Sequence, residues 1–326
     1  MKLVENTPLV DANSEHISVV IPLYNKIDFI GACIESVLSQ SIAPGEIIIV
    51  NDGSTDGSDR FVEKHFGNKV RLVQQLNQGV SVARNNGIQQ AKLNYIALLD
   101  ADDQWDSNYL NIITQLISKH PSCDIFATGY QLIYPDRIEN PTYSGLNKDF
   151  NGELTNYFKH SMREWSLLTS SSTVIRKSKL IEIGMYTPNL RLGEDTDLWC
   201  RLAIDTRIAF SSQALAKYFC FNDSSVTNTI IPKEELAYSK FLTDALNKNT
   251  IPKPLISDVR KFISIGLQYL VREHAKRGNY RFVIKYLFDG RLYHFMNKGT
   301  LKMILAIMTP GVIYTIVKKY LIKNNK

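Results

Sequence analysis

The chain has little cysteine and no long apolar run for its length of 326 residues. Its four cysteines stand far apart in sequence, which excludes a C-x-x-C pair and argues against a zinc ribbon or a disulfide scaffold. No stretch of about 18 uninterrupted apolar residues is present, which argues against a clean membrane-spanning helix. The first ten residues lack the apolar core of a signal peptide, so we expect a cytosolic site of action.

Two common nucleotide-binding signatures are also missing. The sequence contains neither a G-x-x-x-x-G-K-[ST] loop nor a G-x-G-x-x-G turn, and its six histidines form no H-E-x-x-H pair. The composition is that of a globular protein, with 44% hydrophobic, 21% charged and 10% aromatic residues. This composition excludes disorder, collagen and coiled coils, and the length allows one large domain or two.

Charge is distributed unevenly within the net charge of +6. Residues 251–326 carry 15 Lys and Arg against three acidic residues, whereas the preceding 250 residues are mildly acidic. An apolar run from Met303 to Val317, flanked by lysines, suits the headgroup region of an anionic membrane leaflet, so we expect residues 298–326 to meet such a surface. Packing of these segments on the catalytic domain is the alternative, and equal pelleting with anionic liposomes after their deletion would favour it. Because the basic side chains of this region alternate with apolar stretches, nucleic acid is not an expected partner.

Apolar segments of two kinds alternate over the first 120 residues. Short β-branched runs predict strands at Ile17–Ile21, Ile47–Val50, Val70–Val73 and Tyr95–Leu99. Helical spacing predicts helices at Phe29–Leu38, Arg60–Phe66, Val80–Ala91 and Asn108–Ser118. This alternation predicts an α/β fold with a mainly parallel sheet covered on both faces.

The rest of the chain has a less regular pattern. Strands are predicted near Ile125–Leu132, Thr173–Ile175 and Ile208–Phe210, and helices dominate after residue 233, at Leu255–Lys276, Tyr280–Phe288 and Leu301–Ile322. We therefore predict a catalytic domain over residues 1–230, with an acceptor part at about 121–230. A helical, basic C-terminal region is predicted over residues 231–326.

Polar clusters follow three of the first four strands, and in parallel sheets ligands bind at these carboxyl ends. Asp100-Ala101-Asp102-Asp103 suits a divalent cation held together with a diphosphate, although a solvated loop with a helix cap would look the same. Asp52 ends another strand, where its carboxylate could accept a ring N–H from a nucleobase or serve a tight turn. Both readings remain open for each cluster.

Two further positions offer complementary chemistry. Arg84 follows an apolar helix position and could face inward as a fixed cation, or lie exposed. Pro22 is predicted to end the first strand and free backbone groups for a ligand, and Tyr24 offers a ring for stacking on a base.

These segments in this order resemble the nucleotide-sugar-binding half of inverting glycosyltransferases of the GT-A fold, family 2. The matching segments are Val20-Ile21-Pro22-Leu23-Tyr24-Asn25, Val50-Asn51-Asp52-Gly53-Ser54-Thr55-Asp56, Ala83-Arg84-Asn85-Asn86-Gly87 and Asp100-Ala101-Asp102-Asp103. The resemblance is tight over about residues 15–110. It implies that Asp52 binds the base, Arg84 the base or phosphate, Asp100 the ribose or metal, and Asp102 a Mn²⁺ or Mg²⁺ ion that bridges the two phosphates.

A fifth matching segment is Gly193-Glu194-Asp195-Thr196-Asp197-Leu198-Trp199-Cys200-Arg201-Leu202. The resemblance makes Asp195 the general base and places Glu194 and Trp199 on the acceptor side. A sugar hydroxyl is a poor nucleophile at neutral pH, so a carboxylate that takes its proton is chemically required. The alternative is structural, because the helix dipole stabilises acidic side chains at a helix N-terminus.

One departure concerns the metal. The family often carries a histidine after this helix that can complete the metal shell, whereas this chain has neither His nor Arg from Tyr218 to Thr227. Asn222 or Asp223 could substitute.

The resemblance implies a metal-dependent transferase that uses a nucleotide-diphosphate sugar, with UDP favoured, and a saccharide or lipid-linked saccharide acceptor of surface polysaccharide synthesis, with peripheral membrane association. A non-catalytic nucleotide-sugar-binding subunit is the alternative. A nucleotidyltransferase is disfavoured, because Pro22–Ile27 lacks its glycine-rich signature.

Overall fold

The computed structural model describes residues 16–162, 166–190, 192–220, 232 and 234–294. The chain divides into two compact units, Met1–Ser224 and Ser225–Lys326. The boundary predicted after residue 230 falls outside the described residues and stays a prediction, as does the helix predicted at Leu301–Ile322.

A ten-stranded sheet forms the centre of the first unit. Its strands are β1 Ile17–Leu23, β2 Glu46–Asp52, β3 Arg71–Gln75, β4 Tyr95–Leu98, β5 Gln104–Trp105, β6 Ile125–Ile133, β7 Ile138–Glu139, β8 Asn151–Leu154, β9 Thr173–Arg176 and β10 Ile208–Phe219. The order is β3-β2-β1-β4-β9-β6-β10-β5, with β7 beside β6 and β8 beside β10. All of the long strands run in one direction, which confirms the predicted α/β class with a mainly parallel central sheet.

The helices of this unit connect the strands. They are α1 Ile27–Leu38, α2 Ser58–Phe66, α3 Val80–Gln90, α4 Tyr109–Lys119, α5 Tyr157–His160, α6 Lys177–Glu182 and α7 Glu194–Ala203. Helix α3 packs against β1 and β2 and approaches them closely at Gly87, where an added Cβ would lie 2.3 Å from Val20 Cγ1. The helix that carries Arg84 is therefore fixed directly on the sheet.

The strand β1 corrects one prediction. Pro22 does not end the strand, which continues to Leu23 with Pro22 opposite Val50 of β2. The pairing of β1 with β4 stops at Val20, so Pro22 has a neighbouring strand on one side only. A missing N–H is tolerated there because the free side of the strand requires no donor.

The second half of the sheet is assembled from distant segments. Strand β9 lies antiparallel between β4 and β6, and β10 pairs with β6, β5 and β8. The prediction for β10 covered only its first three residues, because register shifts between Ser211 and Ala216 interrupt the two-residue alternation on which strand prediction depends.

The second unit is helical in its described part. Helix α8 spans Ala237–Asn247, α9 spans Ile256–Lys276 and α10 spans Tyr280–Leu287, which confirms the helical reading of this region. Arg291 forms two ion pairs within this unit, with Nη1 2.7 Å from Glu235 Oε1 and Nη2 2.6 Å from Asp289 Oδ2. None of the helices in the described ranges is both long and apolar enough to cross a membrane.

Candidate active site

Arg84 is the centre of a charged cluster at the carboxyl end of β4. Its guanidinium is only 3% exposed and donates from Nη2 to Asp100 Oδ1 at 2.6 Å and from Nη1 to Asp195 Oδ1 at 2.9 Å. Glu194 Oε1 lies 3.6 Å from Nη1. Burial would lower the pKa of Arg84, but the facing carboxylates outweigh it and raise that pKa well above its usual value. The arginine is therefore a fixed cation that holds carboxylates from β4 and α7 together.

Asp195 stands in the first turn of α7. The helix begins after Gly193, whose φ of 78° lies in the left-handed region that favours glycine, and Glu194 and Asp195 stand in the first turn, at the positive end of the helix dipole. Burial raises the pKa of Asp195, Arg84 opposes that rise and Asp100 adds to it. The Asp195 side chain keeps 31% exposure. A carboxylate with a raised pKa and an open side is suited to accept a proton.

The loop Asp100–Asp103 follows β4 directly and holds its three carboxylates in different ways. Asp100 pairs with Arg84, whereas Asp103 is buried, accepting from the Phe219 amide at 3.0 Å and from Ser171 Oγ at 2.5 Å. Burial raises the pKa of Asp103 well above the usual carboxyl value, and the neighbouring Asp100 adds to this effect. The loop is thus anchored through Asp103.

Asp102 is the part of this loop open to a cation. Its Oδ2 lies 2.5 Å from Lys26 Nζ, and both side chains are about one-third exposed, at 31% and 37%. The present partner is itself a cation, and carboxylate oxygens are the ligands that Mg²⁺ and Mn²⁺ prefer, so the residues fit the predicted ion. Within the described residues, no three His, Cys, Asp or Glu side chains form a metal cluster. The ion would therefore depend on substrate phosphates for further ligands, as Mg²⁺ commonly does.

The candidates for a third protein ligand, Asn222 and Asp223, lie outside the described residues.

Asp52 ends β2 and is 3% exposed. Its Oδ1 accepts from Gln75 Nε2 at 2.7 Å and from the Gln78 amide at 2.8 Å, and its Oδ2 accepts from the Gly79 amide at 2.8 Å. The carboxylate thereby shapes the turn that leads into α3. It retains lone-pair capacity for one more donor, so its predicted role in base binding stays a prediction.

Tyr24 and Trp199 differ in their availability. Tyr24 follows β1 beside this edge of the sheet and is 48% exposed, which leaves its ring open for the predicted stacking. Trp199 is 1% exposed. Its side chain faces the interior of the unit from α7, and its predicted place on the acceptor side stays a prediction.

Four residues near the cluster were missed by sequence reasoning. Ser170 Oγ donates to Asp195 Oδ1 at 3.0 Å, Tyr186 Oη lies 3.0 Å from Ser170 Oγ, and Ser171 bonds Asp103, while Lys26 pairs with Asp102. Serines carry no distinctive sequence signal. The Asn85 of the Arg84-Asn85 segment is the nearest pointer to Tyr186, because its side chain bonds both backbone groups of that residue.

Comparison with known proteins adds the family. The model of glycosyl transferase family 2 matches residues 18–184, which is just over half of the chain. The chain belongs to glycosyl transferase family 2. The predicted glycosyltransferase class is therefore confirmed, and the matched range contains Asp52, Arg84 and the Asp100–Asp103 loop but ends before Asp195.

Two curated relatives illustrate the extent of the similarity. The chain is 29% identical over 216 residues to TuaG of Bacillus subtilis, named as a teichuronic acid biosynthesis glycosyltransferase, and this match covers 65% of the chain and 82% of TuaG. It is 43% identical over 108 residues to the glycosyltransferase YibD of Escherichia coli, which covers 32% of the chain and 31% of YibD. The chain thus spans under one-third of YibD.

Among solved structures, the fold is similar to S. aureus TarS 1–349 in complex with UDP-GlcNAc. The TM-score is 0.62, the sequence identity 18%, and the match covers 79% of this chain and 72% of that one. This likeness confirms the GT-A fold of the resemblance.

Proposed function

We propose that this family 2 glycosyltransferase is an inverting enzyme that moves a sugar from a nucleotide-diphosphate sugar to a saccharide or lipid-linked saccharide in surface polysaccharide synthesis. The observation that carries the proposal is the double ion pair of Arg84. It joins Asp100, at the end of β4, to Asp195, which lies 111 residues after Arg84 in the sequence. The carboxylate proposed to bind the sugar donor and the carboxylate proposed as the base are thus paired with the same cation.

The chemistry is a single displacement. Asp195 takes the proton of the acceptor hydroxyl while the hydroxyl oxygen bonds to the anomeric carbon, and the bond from that carbon to the diphosphate oxygen breaks. The nucleoside diphosphate leaves with the bonding electrons. Attack opposite to the leaving group inverts the anomeric configuration.

The residues on the sugar-donor side bind and orient the nucleotide. Asp52 and Tyr24 stand at the ends of β2 and β1 to receive the base, and Asp100 and Asp102 follow β4, next to β1 in the sheet. A Mn²⁺ or Mg²⁺ ion at Asp102 would supply positive charge to the diphosphate as it leaves. Glu194, beside Asp195, stays on the proposed acceptor side, with a pKa that burial raises and Asp195 raises further.

Substrate preferences rest on the relatives. A UDP-sugar is favoured because TarS has been solved with UDP-GlcNAc and with UDP. A role in polysaccharide synthesis is supported by TuaG, whose name places it in teichuronic acid biosynthesis. Residues 298–326 remain proposed to contact an anionic membrane surface.

The base is tested by Asp195→Asn, with Asp205→Asn as matched control. Asp205 pairs with Lys179 on the surface, with 66% of its side chain exposed, so its change tests only the loss of one surface carboxylate. We expect Asp195→Asn to lower kcat by about 10²–10⁴-fold while UDP-sugar binding persists. The measurements are UDP release with saccharide acceptors and thermal shifts with UDP-, GDP- and dTDP-sugars, with and without Mn²⁺.

The outcomes separate the two candidate functions. Undiminished turnover by Asp195→Asn would contradict the assignment of Asp195 as the general base. A wild-type protein that binds a sugar nucleotide but releases no nucleotide with any acceptor would instead be the non-catalytic subunit.

A further inference from the structure

A single turn of 3-10 helix, Ser170–Ser172, lies where the base and the carboxylate loop meet; we name it the serine turn. All three side chains are buried. Thr169 caps the turn through reciprocal bonds with Ser172, so the third serine serves the turn itself. The first two serines have hydroxyls directed at different neighbours.

Ser170 is bonded to the proposed base. Its Oγ donates to Asp195 Oδ1 at 3.0 Å and lies 3.0 Å from Tyr186 Oη. A serine hydroxyl has one proton, so while Ser170 donates to an ionised Asp195 it must accept the proton of Tyr186. Tyr186 is fully buried, with the Arg84 guanidinium carbon 5.0 Å from its ring centroid. Asp195 Oδ1 is therefore held by two donors, Ser170 and Arg84.

Ser171 is bonded to the loop on the sugar-donor side. Its Oγ donates to Asp103 Oδ2 at 2.5 Å and accepts from the Asp100 amide at 3.1 Å. Its carbonyl accepts from Trp105 Nε1 at 2.6 Å. One residue thus holds the segment from Asp100 to Trp105 at three points, on both sides of Asp102.

We infer that the serine turn is a positioning element of the active site, in which Ser170 orients the base and Ser171 orients the carboxylate loop that binds the sugar donor. The inference rests on the proposed function of Asp195 and Asp102. Because adjacent residues hold the two halves of the site, the turn fixes the distance between the base and the sugar donor. The two serines should therefore have separable kinetic signatures.

The test compares Ser170→Ala, Ser171→Ala and the control Ser18→Ala, a buried serine at the amino end of β1 whose Oγ donates to Glu46 Oε1 at 2.7 Å, away from the site. The probe is UDP-GlcNAc with Mn²⁺, or another sugar nucleotide if it stabilises the wild type more. Loss of a hydrogen bond to a charged group changes a rate constant or a binding constant by about 10–100-fold. We expect Ser170→Ala to lower kcat by about tenfold with little change in sugar-donor KM, Ser171→Ala to raise that KM by about tenfold, and Ser18→Ala to change neither.

The pH profile of kcat separates positioning from general damage. Ser170 bonds the ionised form of Asp195, so its loss should move the acid limb of the profile to higher pH, because that form is stabilised less. The charged and titratable groups that face Asp195, namely Arg84, Asp100, Glu194 and Tyr186, are unchanged by the substitution. Ser171→Ala should leave the limb in place.

Tyr186→Phe changes the hydrogen-bond partner of Ser170 and leaves Ser170 itself intact. It tests the inference if Ser170→Ala does not fold. It removes a hydroxyl that bonds Ser170 and that also lowers the pKa of Asp195 by hydrogen bonding, so it should shift the acid limb in the same direction. Equal effects of Ser170→Ala and Ser171→Ala on kcat and KM, or an unmoved acid limb in both Ser170→Ala and Tyr186→Phe, would overturn the inference. An active Asp195→Asn would overturn the proposed function itself, whereas an inactive Asp195→Asn beside unaffected serine variants would overturn only this inference.

Discussion

The two halves of the catalytic unit differ in how they form the site. From Ile17 to Asp103 the strands pair in parallel, and each polar cluster follows the strand that positions it. From Ile125 to Phe219 the pairing is largely non-local, and the functional side chains stand on a 3-10 turn and a helix start. The first half therefore places residues by local sequence order, whereas the second places them by tertiary contacts. Arg84 is where the two halves meet.

Arg84→Met should have the largest effect, because it removes the residue that links the two halves. It leaves Asp100 and Asp195 close together without their shared cation, and breaking a buried pair by removing one partner costs about 3–5 kcal/mol. We expect a loss of this size in the free energy of unfolding, measured by urea denaturation. The stabilisation by UDP-GlcNAc with Mn²⁺ in thermal-shift experiments should also disappear.

Arg201→Met is the matched control for Arg84. Arg201 is also largely buried and pairs with Asp197, but its other bonds go to the carbonyls of Ile183 and Met185. Its loss should destabilise the unit while the nucleotide-induced shift persists. If both variants keep that shift, Arg84 is a structural arginine and the link between the halves is not functional.

The difference between the halves explains what the sequence could reveal. In the first half, β-branched runs and strand-end motifs are adjacent in sequence, so β1 to β4, Asp52, Arg84 and Asp100–Asp103 were identified together. In the second half, the Ser170 bond to Asp195 and the antiparallel insertion of β9 arise only on folding, and the bulges of β10 erase its alternation. Asp195 was predicted because Gly193-Glu194-Asp195 is a local motif, whereas Ser170, Ser171 and Tyr186 have no such signal.

Gly87→Ala should disturb the first half alone, by moving helix α3. The added Cβ would lie 2.3 Å from Val20 Cγ1 and 3.2 Å from Val50 Cγ2, so α3 must move away from the sheet. Overpacking of this kind costs about 1–3 kcal/mol of unfolding free energy. Since Arg84 lies one turn earlier on α3, the midpoint concentration for UDP-GlcNAc binding should rise as well.

Gly31→Ala provides the contrast in helix α1. Its Cβ would meet only the edge of the Phe61 ring at 3.3 Å, and the gain in helix propensity of about 1 kcal/mol offsets this crowding. Equal urea midpoints for the two variants would contradict the close packing of α3 on the sheet.

Lys26→Met should have the smallest effect on stability, and it tests how Asp102 meets a cation. The pair is about one-third exposed, and such pairs contribute at most about 1 kcal/mol. The Lys26 ammonium is paired with the Asp102 carboxylate, which is the proposed ligand of Mn²⁺ or Mg²⁺. The ammonium and the metal ion therefore compete for the same carboxylate. Removing the ammonium should therefore tighten Mn²⁺ binding in the presence of UDP, by up to about fivefold if the pair is worth 1 kcal/mol.

Titration calorimetry with Mn²⁺ measures this change, and Lys64→Met, an exposed lysine on α2, controls for the loss of one positive charge. Tighter binding in Lys26→Met alone supports competition at Asp102. Weaker binding would instead mean that Lys26 moves onto the diphosphate and assists the ion. In that case the first half of the unit would contribute a mobile cation beside the fixed cation Arg84, and the contrast between a preformed sugar-donor side and a tertiary base side would no longer hold at Asp102.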